Sequence, residues 1–185
     1  MYKLILLIIF SYTLKAQEVS YVCGAVNKTL TIVCNNCTGG TTYQWTSPSN
    51  VVSTSQSVNA TEAGIWLWSI TSNGCAAITG THTINQELQP NVSINAVDGC
   101  INSDQTISAS GVPSGYTYSW NFGQDSSPAT SNNSSELVSY STTGSKTISL
   151  DISKVLPTGA CTNTCVWNYS QSITIGNISG TSTCN

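Results

Sequence analysis

The chain has 185 residues, of which only 7% are charged, and it contains five basic residues, all of them lysines. Eight carboxylates give a formal net charge of −3, so the chain lacks the basic surface that nucleic-acid binding requires. Valine, isoleucine, tryptophan and tyrosine recur in short alternating runs, which is not typical of a disordered chain. The composition therefore predicts an ordered, strand-rich protein that does not bind nucleic acid.

The chain begins with features typical of a secretory signal peptide. Lys3 precedes an unbroken apolar run from Leu4 to Phe10, and Ala16 supplies a small residue for cleavage. The run is shorter than the about 20 apolar residues that span a membrane. We therefore expect residues 1–16 to be a cleaved signal peptide. The remaining chain is expected to be secreted, free or associated with the cell surface, and not an integral membrane protein.

All eight cysteines follow the predicted signal peptide. An even number of cysteines in an oxidising compartment predicts a disulfide framework. Structural zinc is the alternative, because Cys34 and Cys37 have a suitable spacing. However, Cys161 and Cys165 are spaced more loosely, and the only histidine, His82, lies within a strand-like segment. We expect disulfides, and neither a metal site nor a cofactor.

The remaining chain falls into two similar halves. Each half contains a cysteine, an alternating strand, a Tyr-x-Trp strand and an apolar strand led by glycine. The Tyr-x-Trp segments begin at Tyr43 and Tyr118, and the glycine-led strands begin at Gly64 and Gly144. A spacing of two places the apolar residues of each strand on one face.

The polar stretch at residues 85–91, with Pro90 near its end, predicts a short linker between the halves. Closely spaced turn signals leave room only for short strands, and no segment has sustained helical periodicity. The sequence therefore predicts an all-β protein of two tandem immunoglobulin-like β-sandwiches stapled by disulfides. The expected domains are residues 17–89, and residues 90–185 with a short C-terminal tail.

Two segments of the second half carry a resemblance to a known family. Trp120-Asn121-Phe122-Gly123 is followed, after a loop, by Tyr140-Ser141-Thr142-Thr143-Gly144 and alternating apolar residues. These segments resemble the PKD domain, with its Trp-Asp-Phe-Gly-Asp-Gly and Tyr-x-x-x-Gly-x-Tyr patterns. The first half is similar to related immunoglobulin-like repeats of secreted surface proteins of the Bacteroidota. The resemblance implies a fold and hardly bears on activity.

The chain departs from the family pattern at three positions. Asn121 and Gln124 replace the family's acidic pair, which removes the carboxylates that a calcium ion prefers. Lys146 stands where the family usually has an aromatic residue. We therefore expect the second sandwich to pack differently at that corner.

The resemblance also implies that a cysteine before the first core strand of each half pairs with one after the glycine-led strand. The other four cysteines then pair by elimination. The implied pairs are Cys23 with Cys75, Cys100 with Cys161, Cys34 with Cys37, and Cys165 with Cys184. An antibody-like bridge from Cys34 across the sandwich is the alternative, although Trp68 occupies the position that would receive it. The sequence alone does not fix the connectivity.

No motif assembles a catalytic centre in the sequence. The carboxylates are scattered singly between Glu18 and Asp151, and the chain contains one histidine and no arginine. We expect His82 to lie exposed on the polar face of its strand, opposite Ile84, rather than to act as a base. The expected protein is not an enzyme.

Four residues are candidates for contact with a partner. In Ile65-Trp66-Leu67-Trp68, Ile65 and Leu67 point outward if the tryptophans point into the core, unless a loop or the other module covers them. Trp167 and Tyr169 share a parity and suit sugar stacking or a protein contact, with core packing as the alternative.

These residues point to a non-catalytic adhesion or binding protein at the cell surface. The expected partner is a protein, a glycan or a second copy of the chain. A structural subunit of an extracellular filament or coat is one alternative. It is suggested by the low charge and by the strand that is apolar on both faces. A carbohydrate-binding accessory protein is the other.

Overall fold

The computed structural model describes residues 17–34, 40–72, 77–157 and 163–177. All the regular secondary structure in these residues is β-strand. The chain divides into two compact units between Gln86 and Glu87. The predicted signal peptide lies outside the described residues, and no helix among them is long and apolar enough to cross a membrane.

The first unit, which we call unit 1, is built from two sheets. Its strands are β1 Gln17–Cys23, β2 Lys28–Thr31, β3 Thr42–Thr46, β4 Val52–Ser53, β5 Ser57–Ala60, β6 Gly64–Thr71 and β7 Ile78–Glu87. One sheet has the order β1-β7-β6-β3-β4, and β2 pairs antiparallel with β5 to form the other. The glycine-led strand predicted at Gly64 is β6, and the first Tyr-x-Trp segment lies in β3.

Inward residues of both sheets form the core of unit 1. Trp45 of β3 is 2% exposed and Trp66 of β6 is 5% exposed, so the alternating tryptophans predicted to face inward do so at these positions. Trp68 is only partly buried and packs at the margin. The cluster of buried side chains consists of Val26, Leu30, Ile32, Trp45, Ala60, Trp66, Ile70 and Ile84.

The second unit, unit 2, repeats this plan with more strands. Its strands are β8 Ser93–Asn95, β9 Gly99–Cys100, β10 Gln105–Ser110, β11 Thr117–Asn121, β12 Ser126–Ser127, β13 Thr130–Ser131, β14 Ser135–Tyr140, β15 Gly144–Leu156 and β16 Asn163–Gly176. The two sheets have the orders β12-β14-β10-β8 and β13-β11-β15-β16-β9. Two sheets in this order, antiparallel except for the parallel pair of β16 and β9, form the immunoglobulin-like sandwich, so the predicted fold class is confirmed.

Trp120 and Phe122 lie at the centre of the unit 2 core. Their side chains are 1% and 0% exposed, and their rings stack with centroids 5.6 Å apart. The indole nitrogen of Trp120 donates a hydrogen bond to the carbonyl oxygen of Asn133 over 2.8 Å. Burial of the large rings removes much of the apolar surface of this unit from water.

The last two strands of unit 2 are longer than the sequence analysis predicted. β15 and β16 pair antiparallel without interruption from Gly144 opposite Ile175 to Leu156 opposite Asn163. No glycine or proline interrupts their alternation, so nothing in the sequence ends either strand early. The expectation that every strand would be short was therefore wrong.

The predicted linker is also shorter in the structure than in the sequence analysis. β7 extends to Glu87, so the first part of the polar stretch at residues 85–91 belongs to a strand. Asn85, Gln86 and Glu87 are half-buried or exposed residues of a strand rather than residues of a loop. Only the residues around Pro90 lack regular structure.

Lys146 occupies a buried position in β15, with 8% of its surface exposed. Its ammonium group lies 3.2 Å from a carboxylate oxygen of Asp125, donates to the Thr142 hydroxyl over 2.7 Å, and sits over the Tyr140 ring. The hydrogen bonds from Thr142 and Lys146 lower the pKa of Asp125. This corner is therefore built around an ion pair.

Candidate functional site

Ile65 and Leu67 point away from the core of unit 1, on the outward side of the five-stranded sheet. They are 55% and 51% exposed, while Trp66 between them is buried. The strand alternation in this segment is therefore as expected. Whether these residues contact a partner remains a prediction.

Cross-strand neighbours extend this surface. Leu67 lies opposite Thr46 of β3 and Thr81 of β7, Ile65 lies opposite Thr83, and Thr46 in turn lies opposite Val52 of β4. Residues directly opposite in a sheet share a face, so their side chains are neighbours. We call the resulting surface the outer face of unit 1; it comprises Thr46, Val52, Ile65, Leu67, Thr81 and Thr83.

The outer face of unit 1 is uncharged and apolar at its centre. Val52 is 55% exposed and the three threonines are partly or largely covered by their neighbours. Isolated exposed apolar residues are ordinary on protein surfaces, but Ile65 and Leu67 of β6 and Val52 of β4 share one sheet face, with Thr46 of β3 between Leu67 and Val52. This surface is a candidate protein contact.

The second pair of candidate residues lies differently. Trp167 is 9% exposed and packs beside Tyr116, with ring centroids 5.8 Å apart, so the core-packing alternative describes it. Tyr169 is partly buried, and its hydroxyl donates to the carbonyl oxygen of Pro90 over 2.6 Å. The hypothesis of exposed aromatic side chains fails for Trp167, because burial leaves its ring no surface for stacking.

Four described cysteines, namely Cys23, Cys34, Cys100 and Cys165, are disulfide-bonded. This agrees with a disulfide framework. The other four cysteines, namely Cys37, Cys75, Cys161 and Cys184, lie outside the described residues. The pairing implied by the family resemblance therefore stays a prediction.

His82 is buried, not exposed as its sequence context predicts. The side chain is 7% exposed and faces the core of unit 1, opposite Trp66 in the register of β6 and β7. His82 and Ile84 are two residues apart, so both point to the same side of the strand rather than to opposite sides. The expectation of an exposed histidine was wrong for this reason.

The buried histidine is held by two polar side chains of β1. Its Nε2 lies 2.8 Å from the Ser20 hydroxyl oxygen, and its Nδ1 lies 3.2 Å from a carboxylate oxygen of Glu18. An ionised carboxylate can only accept hydrogen bonds, so Nδ1 of His82 carries a proton and donates the hydrogen bond to Glu18. In the neutral imidazole, Nε2 then accepts the hydrogen bond that the Ser20 hydroxyl donates.

These side chains line an open cleft of about 590 Å³ in unit 1. The cleft lies between β1, at the edge of the five-stranded sheet, and β2, which among the described strands pairs only with β5. Its walls are mostly polar, and they include a lysine. The lining residues are Gln17, Glu18, Val19, Ser20, Lys28, Thr29, Leu30, Thr31 and His82.

Burial lowers the pKa of His82, while the charge of Glu18 and its hydrogen bond act in the opposite direction. A base whose pKa is lower in the folded state binds fewer protons there than in the unfolded chain. We therefore expect the free energy of unfolding of unit 1 to fall as the pH decreases through the ordinary histidine pKa of 6.5.

This prediction is specific because the chain has one histidine, which is the side chain that ordinarily titrates in this range. Thermal unfolding followed by circular dichroism between neutral pH and about pH 5 measures the effect. A His82→Gln variant, which cannot gain a proton, should show a much flatter profile. An unchanged profile in that variant would assign the dependence to other groups.

No local sequence pattern identifies Glu18 and Ser20 as partners of His82. They are two residues apart on β1 and so share a face, but more than sixty residues separate them from His82. Only the pairing of β1 with β7 brings them together. Among the described residues, no cluster of three histidine, cysteine or acidic side chains could hold a metal ion.

No protein-family model matches the chain, and no curated protein matches its sequence. Its fold is similar to solved immunoglobulin-domain tandems. An I-band fragment of titin aligns with 88% of this chain at 11% identity and a TM-score of 0.47. The first two domains of DIP-gamma cover 86% at 11% identity and a TM-score of 0.41. Domains 1–4 of Sidekick-1 cover 87% at 14% identity and a TM-score of 0.43.

The chain spans 65% of the titin fragment, 92% of the DIP-gamma fragment and 47% of the Sidekick-1 fragment. At such low identities these likenesses concern fold alone and carry no argument about activity or partners. The immunoglobulin-like assignment rests on the strand order and the layered cores described above.

Proposed function

We propose that this protein is a secreted binding module that contacts a protein partner through the outer face of unit 1. The observation that carries the proposal is the exposure of Ile65 and Leu67 on one uncharged sheet face. The disulfide-bonded cysteines support an oxidising, extracellular setting. The domain boundary near residue 89 and the signal peptide at residues 1–16 belong to the same proposal.

A second copy of the chain is the partner that this face fits best. Two identical faces meet in a twofold dimer, where each residue contacts its counterpart or a neighbour. Because the outer face of unit 1 carries no charge, two copies can approach without repulsion between like charges. The exposed apolar side chains of Val52, Ile65 and Leu67 would be removed from water on both copies at once.

The expected gain follows from the area removed from water. Full burial of an isoleucine or leucine side chain stabilises by about 1.5–3 kcal/mol, and these residues are already about half covered. Two copies of each contribute in a symmetric contact. We therefore expect an Ile65→Lys, Leu67→Lys double variant to weaken self-association by roughly 100-fold or more.

The experiment is sedimentation equilibrium of the purified protein over a wide range of concentration. The control is a Val97→Lys, Leu137→Lys variant, which adds the same charge at two exposed positions of unit 2. The proposal expects association in the parent and control proteins and its loss in the Ile65, Leu67 variant. A parent protein that stays monomeric throughout would overturn self-recognition, and equal loss in both variants would overturn the assignment of the face.

A filament or coat subunit is the second candidate, and a separate observation favours it. Unit 2 exposes Val155 at 62% and Val166 at 57% on the outward sides of the paired strands β15 and β16. Two different contact patches on one chain allow head-to-tail contacts, which build open filaments when they do not close. Electron microscopy of the associated fractions separates regular polymers from dimers.

A further inference from the structure

Unit 1 contains a serine, a histidine and a carboxylate that are joined by hydrogen bonds in this order, as in sites of nucleophilic catalysis. The Ser20 hydroxyl bonds to one ring nitrogen of His82, and Glu18 bonds to the other. A nucleophile, a base and a group that orients the base are recognised by this geometry and not by sequence position or fold. The arrangement is distinct from the proposed binding function, because these groups face the cleft rather than the outer face of unit 1.

We propose that Ser20, His82 and Glu18 form a hydrolytic site for small carboxylic esters, with an acyl group carried covalently on Ser20. The cleft volume of about 590 Å³ lies within the range of small-molecule sites. Ser20 lines the cleft but is only 9% exposed, which favours a small acyl group at its oxygen. The substrate class is therefore an ester of a short acid.

Each of the three side chains has one role. His82 is the general base, and its burial keeps the imidazole neutral and able to accept a proton at neutral pH. Glu18 is a positioning residue, since its carboxylate fixes the proton on Nδ1 and leaves Nε2 facing Ser20. Lys28 lines the same cleft and supplies positive charge toward an oxyanion that forms there.

The reaction proceeds in two balanced steps. The Ser20 oxygen bonds to the ester carbonyl carbon as its proton passes to His82, and the carbonyl electron pair moves to oxygen. When that pair returns, the ester carbon–oxygen bond breaks and the leaving alcohol takes the proton from His82. Water then attacks the acyl group with His82 as base, which releases the carboxylic acid and restores Ser20.

The decisive experiment treats the full-length protein with a fluorophosphonate, which phosphonylates activated serines, and maps the adduct by peptide mass spectrometry. The proposal expects a single adduct on Ser20, lost in Ser20→Ala and reduced at least about 100-fold in rate in His82→Gln. Ser69→Ala, in which a strand serine of the same unit is removed, should label as the parent does. No adduct on Ser20 of the parent protein overturns the proposal without any variant.

Hydrolysis of para-nitrophenyl acetate provides a second readout. We expect an initial burst of nitrophenol from the parent protein. The rate of hydrolysis should fall in both the Ser20→Ala and the His82→Gln variants. A rate that survives in Ser20→Ala and disappears in His82→Gln would assign the reaction to the imidazole alone and overturn the covalent serine. The Ile65→Lys, Leu67→Lys variant should keep full labelling, so failure of the binding proposal and failure of this one are distinguishable.

Discussion

Replacement of Trp120 by alanine is expected to lower the free energy of unfolding of unit 2 by about 3–5 kcal/mol. The side chain is 1% exposed, stacks on Phe122, and donates a hydrogen bond to the carbonyl oxygen of Asn133. Its removal leaves a cavity and deletes the hydrogen bond to Asn133, and both effects act in the same direction. A loss of this size is a large part of the total stability of a small domain, which is about 5–15 kcal/mol.

Trp45→Ala is the matched variant in unit 1, where Trp45 is 2% exposed at the equivalent strand position. Differential scanning calorimetry should show two transitions in the parent protein, because each unit has its own core. Trp120→Ala should lower one transition and Trp45→Ala the other. A single transition lowered equally by both variants would contradict the independence of the two cores.

The second large effect is expected at Gly111, directly after β10. Gly111 has φ of +80°, and a Cβ at this position would lie 2.2 Å from the carbonyl oxygen of Asn91. A backbone atom cannot rotate away as a flexible side chain can. We expect Gly111→Ala to cost about 1–2 kcal/mol for the left-handed backbone and a further ~1–3 kcal/mol for the overlap.

Gly115→Ala separates these two costs. Gly115 has a similar φ of +83°, but a Cβ there meets nothing within 4 Å. It should therefore show only the backbone cost of about 1–2 kcal/mol. Urea unfolding of both variants measures the difference, and equal stabilities would mean that the chain around Asn91 moves aside at no cost.

The strand pattern and the core tryptophans could be predicted because they depend on local alternation. Trp45 and Trp120 alternate with polar residues, and Trp66 lies between the outward-facing Ile65 and Leu67. A spacing of two decides the face of a strand wherever one side is buried. The long β15–β16 pairing was missed because interior strand length depends on what a strand pairs with. Turn-forming residues in the neighbouring sequence do not predict that length.

The candidate sites divide in the same way. Exposure of Ile65 and Leu67 follows from alternation within one strand, whereas the contact of His82 with Glu18 and Ser20 depends on which strand lies beside β7. Burial of Trp167 likewise depends on the ring of Tyr116 against it. Contacts of this kind connect distant parts of the chain, and no local sequence pattern predicts them.

The connection of β15 to β16 by consecutive antiparallel pairs affects how unit 2 acquires its structure. Pairs such as Leu156 with Asn163 close short loops, whereas the parallel pairing of β16 with β9 joins Ile175 to Gly99. Closing a longer loop costs more chain entropy before any contact compensates it. We therefore expect the paired strands β15 and β16 to gain hydrogen-exchange protection early in refolding. Strand β9 should gain protection last.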